Sequence, residues 1–224
     1  MKNLRIERKR HREEENKISI LEAAERVFAQ RGYSLARMDD IAREAQFSKA
    51  TLYRYFDSKR DILFKIILNS FEETAEGIKK IHEKKIDASK KLKEITRSSI
   101  QHFRKKKNMS RILLMEKQLL RNILHVFPES QETLSLQERK FLDEIKEKSE
   151  RMMSTLSDIL QEGIEAGDFR KMSTLDAAQA FVALLHGYHF SKLWYEKESS
   201  LDAATNLIHE FFLYGVKRQK AKGV

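Results

Sequence analysis

Cysteine is absent from the 224 residues, which excludes disulfides, thiolate metal ligands and cysteine nucleophiles. Proline occurs once, at Pro128, and glycine only seven times. A chain with so few breakers and an abundance of Leu, Glu, Lys, Ala and Ile is expected to be all-α. A long apolar run is also missing. The longest, Ala180 to Leu185, is far shorter than the ~20 residues that cross a bilayer. The opening from Met1 to Lys17 is charged where a signal peptide needs an apolar stretch. A soluble, cytoplasmic protein with no membrane partner is the expectation. No nucleophile elbow, phosphate loop or metal-binding helix motif occurs, and glycine is too scarce for a phosphate cradle. No enzymatic activity, cofactor or metal site is therefore expected.

What is present points to a polyanion. The chain is 41% hydrophobic, enough for a sizeable core, yet carries a net charge of +10 and a pI near 9.6. Such a balance favours nucleic acid, an anionic membrane surface or an anionic ligand. Residues 1–60 hold 15 lysines and arginines against 10 acids, and the remaining three quarters hold 29 against 24. The positive excess is denser at the front without being confined to it.

Residues 1–16 are charged and lack apolar periodicity, as in a basic arm or a frayed helix start. Their cluster Arg8-Lys9-Arg10-His11-Arg12 reads either as an arm for the minor groove or phosphates, or as a solubilising tail. Ile20, Leu21, Ala24, Val27 and Phe28 recur at helical spacing and end at Gly32, a residue suited to a left-handed C-terminal cap. Short helices follow at about 38–44 and 48–56, separated by Ala45-Gln46-Phe47. Ser58 with Asp61 opens a long helix running past Glu73, and Asp87 restarts one that reaches about Lys105. Residues 104–108 make a polar connection to a helix at about 111–124, which stops before Pro128. A helix at about 133–166 ends at Gly167. Ser173 with Asp176, and Ser199 with Asp202, have capping-box spacing before helices at about 174–195 and 200–217. The expected total is about nine helices.

The second and third helices have the requirements of a helix-turn-helix. Such a unit needs a short support helix, a tight turn, and a second helix whose first residues are small or polar, because they enter the major groove. The third helix begins Ser48-Lys49-Ala50-Thr51, while Leu52 and Phe56 sit four apart on an inward face. Ser48 can cap the helix and offer an amide to phosphate. Lys49 can reach a guanine edge or a phosphate, and Thr51 can donate to a phosphate oxygen. Tyr53 and Tyr55 add phenolic hydroxyls, Arg54 a guanidinium, and Lys59 a cation at the next helix start.

Residues 20–63, ILEAAERVFAQRGYSLARMDDIAREAQFSKATLYRYFDSKRDIL, resemble the DNA-binding domain of the TetR family. The opening ILEAA…F…GY, the support segment DDIA and the run SKATLYRYFDSK carry the resemblance. It covers about a fifth of the chain; the remainder is similar only in length, helical content and a loose EGIEAGDF…LLHGY pattern. The resemblance implies that Ser48, Lys49, Ala50, Thr51, Tyr53 and Tyr55 face DNA and that Lys59 meets phosphate. Two positions depart from the family. A hydroxyl residue is usual where Ala36 and Arg37 stand, so the second helix lacks its capping acceptor, although Arg37 can supply a phosphate contact by charge. Glycine is usual where Gln46 stands, which predicts an unusual backbone angle at or beside it. The implied organisation is an arm at 1–16, a helix-turn-helix domain at 17–63, and a larger helical domain for ligand binding and dimerisation at 64–224.

One reading head covers one half-site, so a homodimer on a double-stranded operator is expected. The last two helices are the candidates for joining the chains. The first offers Ala177, Ala180, Phe181, Ala183, Leu184, Leu185 and Gly187, the second Leu207, Ile208, Phe211, Phe212 and Tyr214. Residues that could line an effector pocket are His102, Phe103, Met115, Met152, Met153, His186, His189, Phe190 and Trp194. His186 and His189, three apart with Phe190, stand out because buried imidazoles need hydrogen-bond partners. No carboxylate at ligand spacing joins them. The lysines at 79–93 and the cations at 104–107 suit an anionic effector such as an acyl-coenzyme A, or simply form solvated helix faces; a lipophilic compound is the other option. The expected function is a repressor released from a palindromic operator by a small molecule. The alternatives are an activator, or a regulator-like protein acting through protein contacts.

Overall fold

A computed structural model of the protein describes residues 2–106, 135–194 and 199–217. Among them are eight helices: α1 (Lys2–Arg31), α2 (Met38–Glu44), α3 (Lys49–Tyr55), α4 (Lys59–His82), α5 (Ala88–Lys105), α6 (Leu136–Glu165), α7 (Thr174–Trp194) and α8 (Leu201–Val216). The expected helix at about 111–124 lies outside the described residues. Within them the only sheet-like pairing is an isolated antiparallel bridge between Phe169 and Lys217. The fold is all-α. No helix among the described residues is long and apolar enough to cross a membrane. By internal packing they fall into two units, 2–70 with 135–142, and 71–106 with 143–194 and 199–217.

In the first unit, α1 begins at Lys2, so the charged opening is helix rather than a separate arm. No glycine or proline interrupts it, and ion pairs one turn apart, Lys9–Glu13 at 3.9 Å and Glu14–Lys17 at 3.6 Å, favour the helical spacing. Ile20, Ala23, Ala24, Val27 and Phe28 bury its inner stripe. Gly32 ends it with φ +76°, its N–H donating to the Phe28 carbonyl at 2.9 Å. Arg26 pairs with Glu44 at 2.6 Å and Arg31 with Asp40 at 3.3 Å, fastening α2 to α1. Ser58 Oγ accepts from the Asp61 N–H at 3.2 Å, opening α4 as expected. Farther along, Phe64 stacks on Phe141 with centroids 4.0 Å apart. Helix α6 starts at a full capping box. Ser135 Oγ accepts from the Glu138 N–H at 3.3 Å, and Glu138 Oε2 accepts from the Ser135 N–H at 2.9 Å.

The second unit has its own core, in which Leu92, Ile95, Leu156, Ile159, Leu160, Phe181, Ile208 and Phe212 are buried together. Its helices are capped as the sequence suggests at Asp87, which accepts from the Lys90 N–H at 2.8 Å, and at Ser173, which accepts from Asp176 at 3.3 Å. One cap differs: α8 is capped by Ser200, accepting from the Ala203 N–H at 3.1 Å, and not by Ser199. The Ser199 carbonyl instead accepts from Arg104 at 2.7 Å. At the end of α6, Gly163 leaves room for the buried Phe169 ring, which would lie 2.3 Å from any Cβ placed there. Gly167 then turns the chain with φ +79°. The Arg170 N–H donates to the Val216 carbonyl at 2.9 Å, tying this turn to the end of α8.

Candidate nucleic-acid interface

Helix α3, seven residues long, is one of the two shortest among the described residues, so its direction depends on how its ends are held. Ser48, extended at φ −68°, ψ 152°, caps it by accepting from the Thr51 N–H at 3.1 Å, and its Oγ lies 2.9 Å from the Thr51 hydroxyl. Leu52 is fully buried and Phe56 nearly so. These two residues pin the helix through one face, while Ser48, Lys49, Ala50, Tyr53 and Arg54 remain exposed and Thr51 and Tyr55 half-exposed. The small, polar opening thus lies on the surface, as reading the major groove demands.

The preceding turn explains how α3 is aimed. Gln46 has φ +59°, the left-handed conformation that glycine adopts without strain. Its N–H donates to the Arg43 carbonyl at 3.1 Å and the Phe47 N–H to the Ala42 carbonyl at 2.9 Å, so the turn is held by its backbone. Helix α2 lacks a side-chain cap at Arg37, as expected. Half of a capping box compensates, the Asp40 carboxylate accepting from the Arg37 N–H at 3.2 Å. The Arg37 side chain is exposed.

Two lysines depart from the simple picture of free cations. Lys49 is bound by Asp39 of α2, with Nζ 2.8 Å from one carboxylate oxygen and 3.1 Å from the other. That hydrogen bond raises its pKa above the usual lysine value, so it stays charged. Lys59 is more firmly committed. Its Nζ donates to the carbonyls of Tyr33 at 2.8 Å, Ser34 at 2.9 Å and Ala36 at 3.0 Å, and sits 4.7 Å from the centre of the Tyr33 ring. An ammonium has three protons, and all three are used. Lys59 thus ties off the loop before α2.

Tyr55 has unexpected company. Its hydroxyl oxygen accepts from Asn16 Nδ2 at 2.9 Å and from Arg54 at 3.1 Å, which lowers its pKa, the Asn16 bond first. Two accepted bonds orient the phenol. Neither Asn16 nor Asp39 was singled out from sequence. For Asn16 a signal existed: asparagine is a poor interior helix residue unless its amide has a partner.

Of the residues proposed for an effector site, His102, Phe103, His186 and His189 come together. In the second unit His189 Nε2 lies 3.0 Å from Ser99 Oγ, and its ring stacks on Phe103 with centroids 4.3 Å apart. Burial pushes its pKa down to about 4, with His186 and His102 adding repulsion, while Nδ1 is buried without a hydrogen bond. His102 is half-buried, its Nδ1 3.9 Å from Glu73. Met152 and Met153 pack against the core of this unit. His186 and Phe190 are exposed. Met115 and the side chain of Trp194 lie outside the described residues. Of the basic run at 79–93, Lys91 is the exception to solvated lysines: it is buried and bound to Glu162 at 2.7 Å. Among the described residues no group of three or more histidines and carboxylates is placed to hold a metal ion.

The apolar residues of α7 and α8 divide as well. Ala177, Phe181, Leu185, Ile208 and Phe212 are buried within the chain's own core, and Leu184 packs against it. Ala180, Ala183, Gly187, Leu207, Phe211 and Tyr214 are exposed, the last two at 65% and 86%.

Residues 20–66 match the family model of bacterial regulatory proteins of the tetR family. The HTH-type transcriptional regulator HbdR of Aromatoleum sp. (strain CIB) is 40% identical over 63 residues, and that match spans 27% of this chain and 28% of HbdR. The fatty acid metabolism regulator protein of Bacillus subtilis is 25% identical over 154 residues, covering 69% of this chain and 71% of its own. The chain is also similar in fold to the crystal structure of the transcriptional regulator FadR from Bacillus subtilis in complex with stearoyl-CoA. That likeness has a TM-score of 0.62 at 22% identity, over 88% of this chain and 98% of the other.

Proposed function

The chain belongs to the TetR family of bacterial regulatory proteins, and from that premise we propose that it is a homodimeric repressor released from a palindromic operator by an acyl-coenzyme A. The observation that carries this reading is helix α3, capped by Ser48, anchored by buried Leu52 and presenting Lys49, Ala50, Thr51 and Tyr53 to solvent. Thr51 and Tyr53 position the head on phosphates, and Lys49, steadied by Asp39, contacts a guanine edge or a phosphate.

Support for a dimer comes from the outward stripe of α7 and α8. Ala180, Ala183 and Gly187 are small enough for close helix contact, and Leu207, Phe211 and Tyr214 supply apolar area. Exposed apolar patches of this kind mark interaction surfaces. Support for the effector comes from the Bacillus subtilis fatty acid metabolism regulator and from the similar structure holding stearoyl-CoA. Release follows by linkage: the ligand and the operator prefer different arrangements of the dimer, so each weakens the other by the same factor.

Selection of bound sequences from random duplexes is expected to return a two-fold symmetric site; a site without symmetry overturns the dimer. With that duplex in a fluorescence anisotropy titration, stearoyl-CoA is expected to raise Kd by about 5–150-fold, the usual range of allosteric coupling. Stearate and coenzyme A added singly are the controls. An unchanged Kd with the thioester overturns the effector. A promoter reporter is expected to rise when the chain is deleted, and a fall identifies an activator instead.

A further inference from the structure

The reading head leaves the first four turns of α1 unexplained. Residues 5–15 are all exposed, including Ile6 at 51%, so this stretch contributes nothing to the core. A helix without tertiary cover is marginal. Here it grows from a nucleus already fixed by Ile20, Ala23 and Ala24, and ion pairs along it add a little.

Its bearing is fixed by one contact. Asn16 Nδ2 donates to the Tyr55 hydroxyl at 2.9 Å, so the Asn16 side of α1 is the side toward the exposed flank of α3. At about 100° per residue, Arg5, Lys9 and Arg12 project within about 40° of the Asn16 direction. Glu7 and Glu14 fall on the opposite side, with Arg10 and His11 turned away as well. Glu13, about 60° from Asn16 and close enough to act on the Tyr55 hydroxyl, is the acid on this side, and Arg5, Lys9 and Arg12 leave the side with a net positive charge. Among these groups, Lys9 has only a long pair with Glu13 at 3.9 Å. At about 1.5 Å per residue the stripe extends roughly 16 Å from Asn16 to Arg5.

We propose that this N-terminal stretch of α1 is a second DNA-binding element, in which Arg5, Lys9 and Arg12 bind the phosphate backbone of duplex flanking the sequence read by α3. The inference rests on the reading of α3 as the operator-contacting helix. The partner is identified by chemistry: three cations on one side of a helix, linked to the recognition helix through the Asn16–Tyr55 bond, match a line of phosphates. Such contacts carry no sequence information and add affinity that falls steeply with salt. The Asn16–Tyr55 bond couples the two elements, since it sets the azimuth of the stripe from the recognition helix itself.

The test compares two duplexes, one limited to the selected palindrome and one extended by a helical turn on each side. Binding of the full-length protein is followed by anisotropy across a salt series. Arg5→Ala/Lys9→Ala/Arg12→Ala is expected to weaken binding to the long duplex at least tenfold. Its salt slope should fall by about 2–3 per protomer, near 0.9 for each lost phosphate contact. On the short duplex the variant and the wild type should agree within about twofold. Arg12→Ala should cost more than Arg10→Ala, although both remove one charge, and Asn16→Ala should lose part of the gain from flanking duplex. Because residues 5–15 bury nothing, the melting temperature should not move. Equal losses on both duplexes, no loss on either, or equal effects of Arg10→Ala and Arg12→Ala overturn the proposal. Thr51→Ala is the separate control. It should weaken both duplexes alike, and a failure to do so overturns the reading of α3 without depending on the extension.

Discussion

Helices α3 and α7 dispose of their polar residues in opposite ways. In α3 one residue, Leu52, is buried, and everything polar points outward or along the surface. Helix α7 is apolar around most of its circumference: Ala177, Ala178, Phe181 and Leu185 face the core, while Ala180, Ala183, Gly187 and Phe190 are exposed. Its two histidines, three residues apart, part company. His186 is exposed, whereas His189 is packed against Ser99 and Phe103 with one ring nitrogen unbonded. A short helix with a sharp contrast between faces announces its outer surface. A helix without contrast does not, and its buried polar group is found only once its neighbours are known.

The sharpest way to break the comparison is to exchange the roles of adjacent residues in α3. Leu52→Ala removes a fully buried side chain and is expected to cost about 2–5 kcal/mol of folding stability, lowering the thermal midpoint and abolishing operator binding with it. Tyr53→Phe is expected to stay within about 0.5 kcal/mol of wild type in stability, while operator affinity drops about tenfold. If Tyr53→Phe destabilises the fold or leaves affinity intact, the outward face of α3 is misassigned.

The second prediction probes the inward polar group of α7. His189 titrates near 4 in the folded chain, against about 6.5 when unfolded. As pH falls below about 6.5 the unfolded state takes up the proton first, so stability is lost down to about pH 4 and is fully present above 6.5. His209, also pushed down by burial, adds to the same slope. His189→Phe preserves stacking on Phe103 and is expected to flatten the stability profile by up to about 3 kcal/mol over that window. Urea unfolding at a series of pH values reads this directly; parallel profiles for wild type and variant refute it.

Lys59 offers a smaller effect. Replacement by Met leaves three carbonyls without their donor and is expected to cost about 2 kcal/mol. The salt slope of operator binding should not change; a fall of about 0.9 would make Lys59 a phosphate ligand after all. The smallest expected change is a gain. Gln46→Gly relieves the left-handed residue and should raise stability by about 0.5–1 kcal/mol, the strain removed exceeding the added freedom of the unfolded chain. A β-branched residue at 46 should lower it.

Most helix limits are written locally and were legible. Gly32 and Gly167 end helices with positive φ, and Asp87 and Ser173 start them through caps. Residues 135–138 spell a capping box that fixes the start of α6 at Leu136, a signal passed over in favour of a start near residue 133. Ser199 and Ser200 are adjacent, and spacing from an acid chose the wrong one; which hydroxyl caps depends on where the chain arrives from, with Arg104 holding the Ser199 carbonyl. The exposed face of α3 was readable because burial of Leu52 and Phe56 leaves the other residues one direction to point. The partners of its polar groups were not. Asn16 meets Tyr55 across 39 residues and Lys59 meets Tyr33 across 26, and nothing in local pattern encodes contacts of that range.

The ammonium of Lys59 also sets a lower limit on what can be transplanted. A reading head excised for grafting onto another ligand-binding scaffold has to extend at least from Asn16 to Lys59. A cut before Lys59 strips three carbonyls of the loop ahead of α2 of their donor, and a cut after Asn16 removes one of the two donors that orient the Tyr55 phenol. Chimaeras joined beyond Lys59, inside the first turn of α4, should retain the operator preference of the parent, whereas those joined at Phe56 should bind DNA with a slackened support helix.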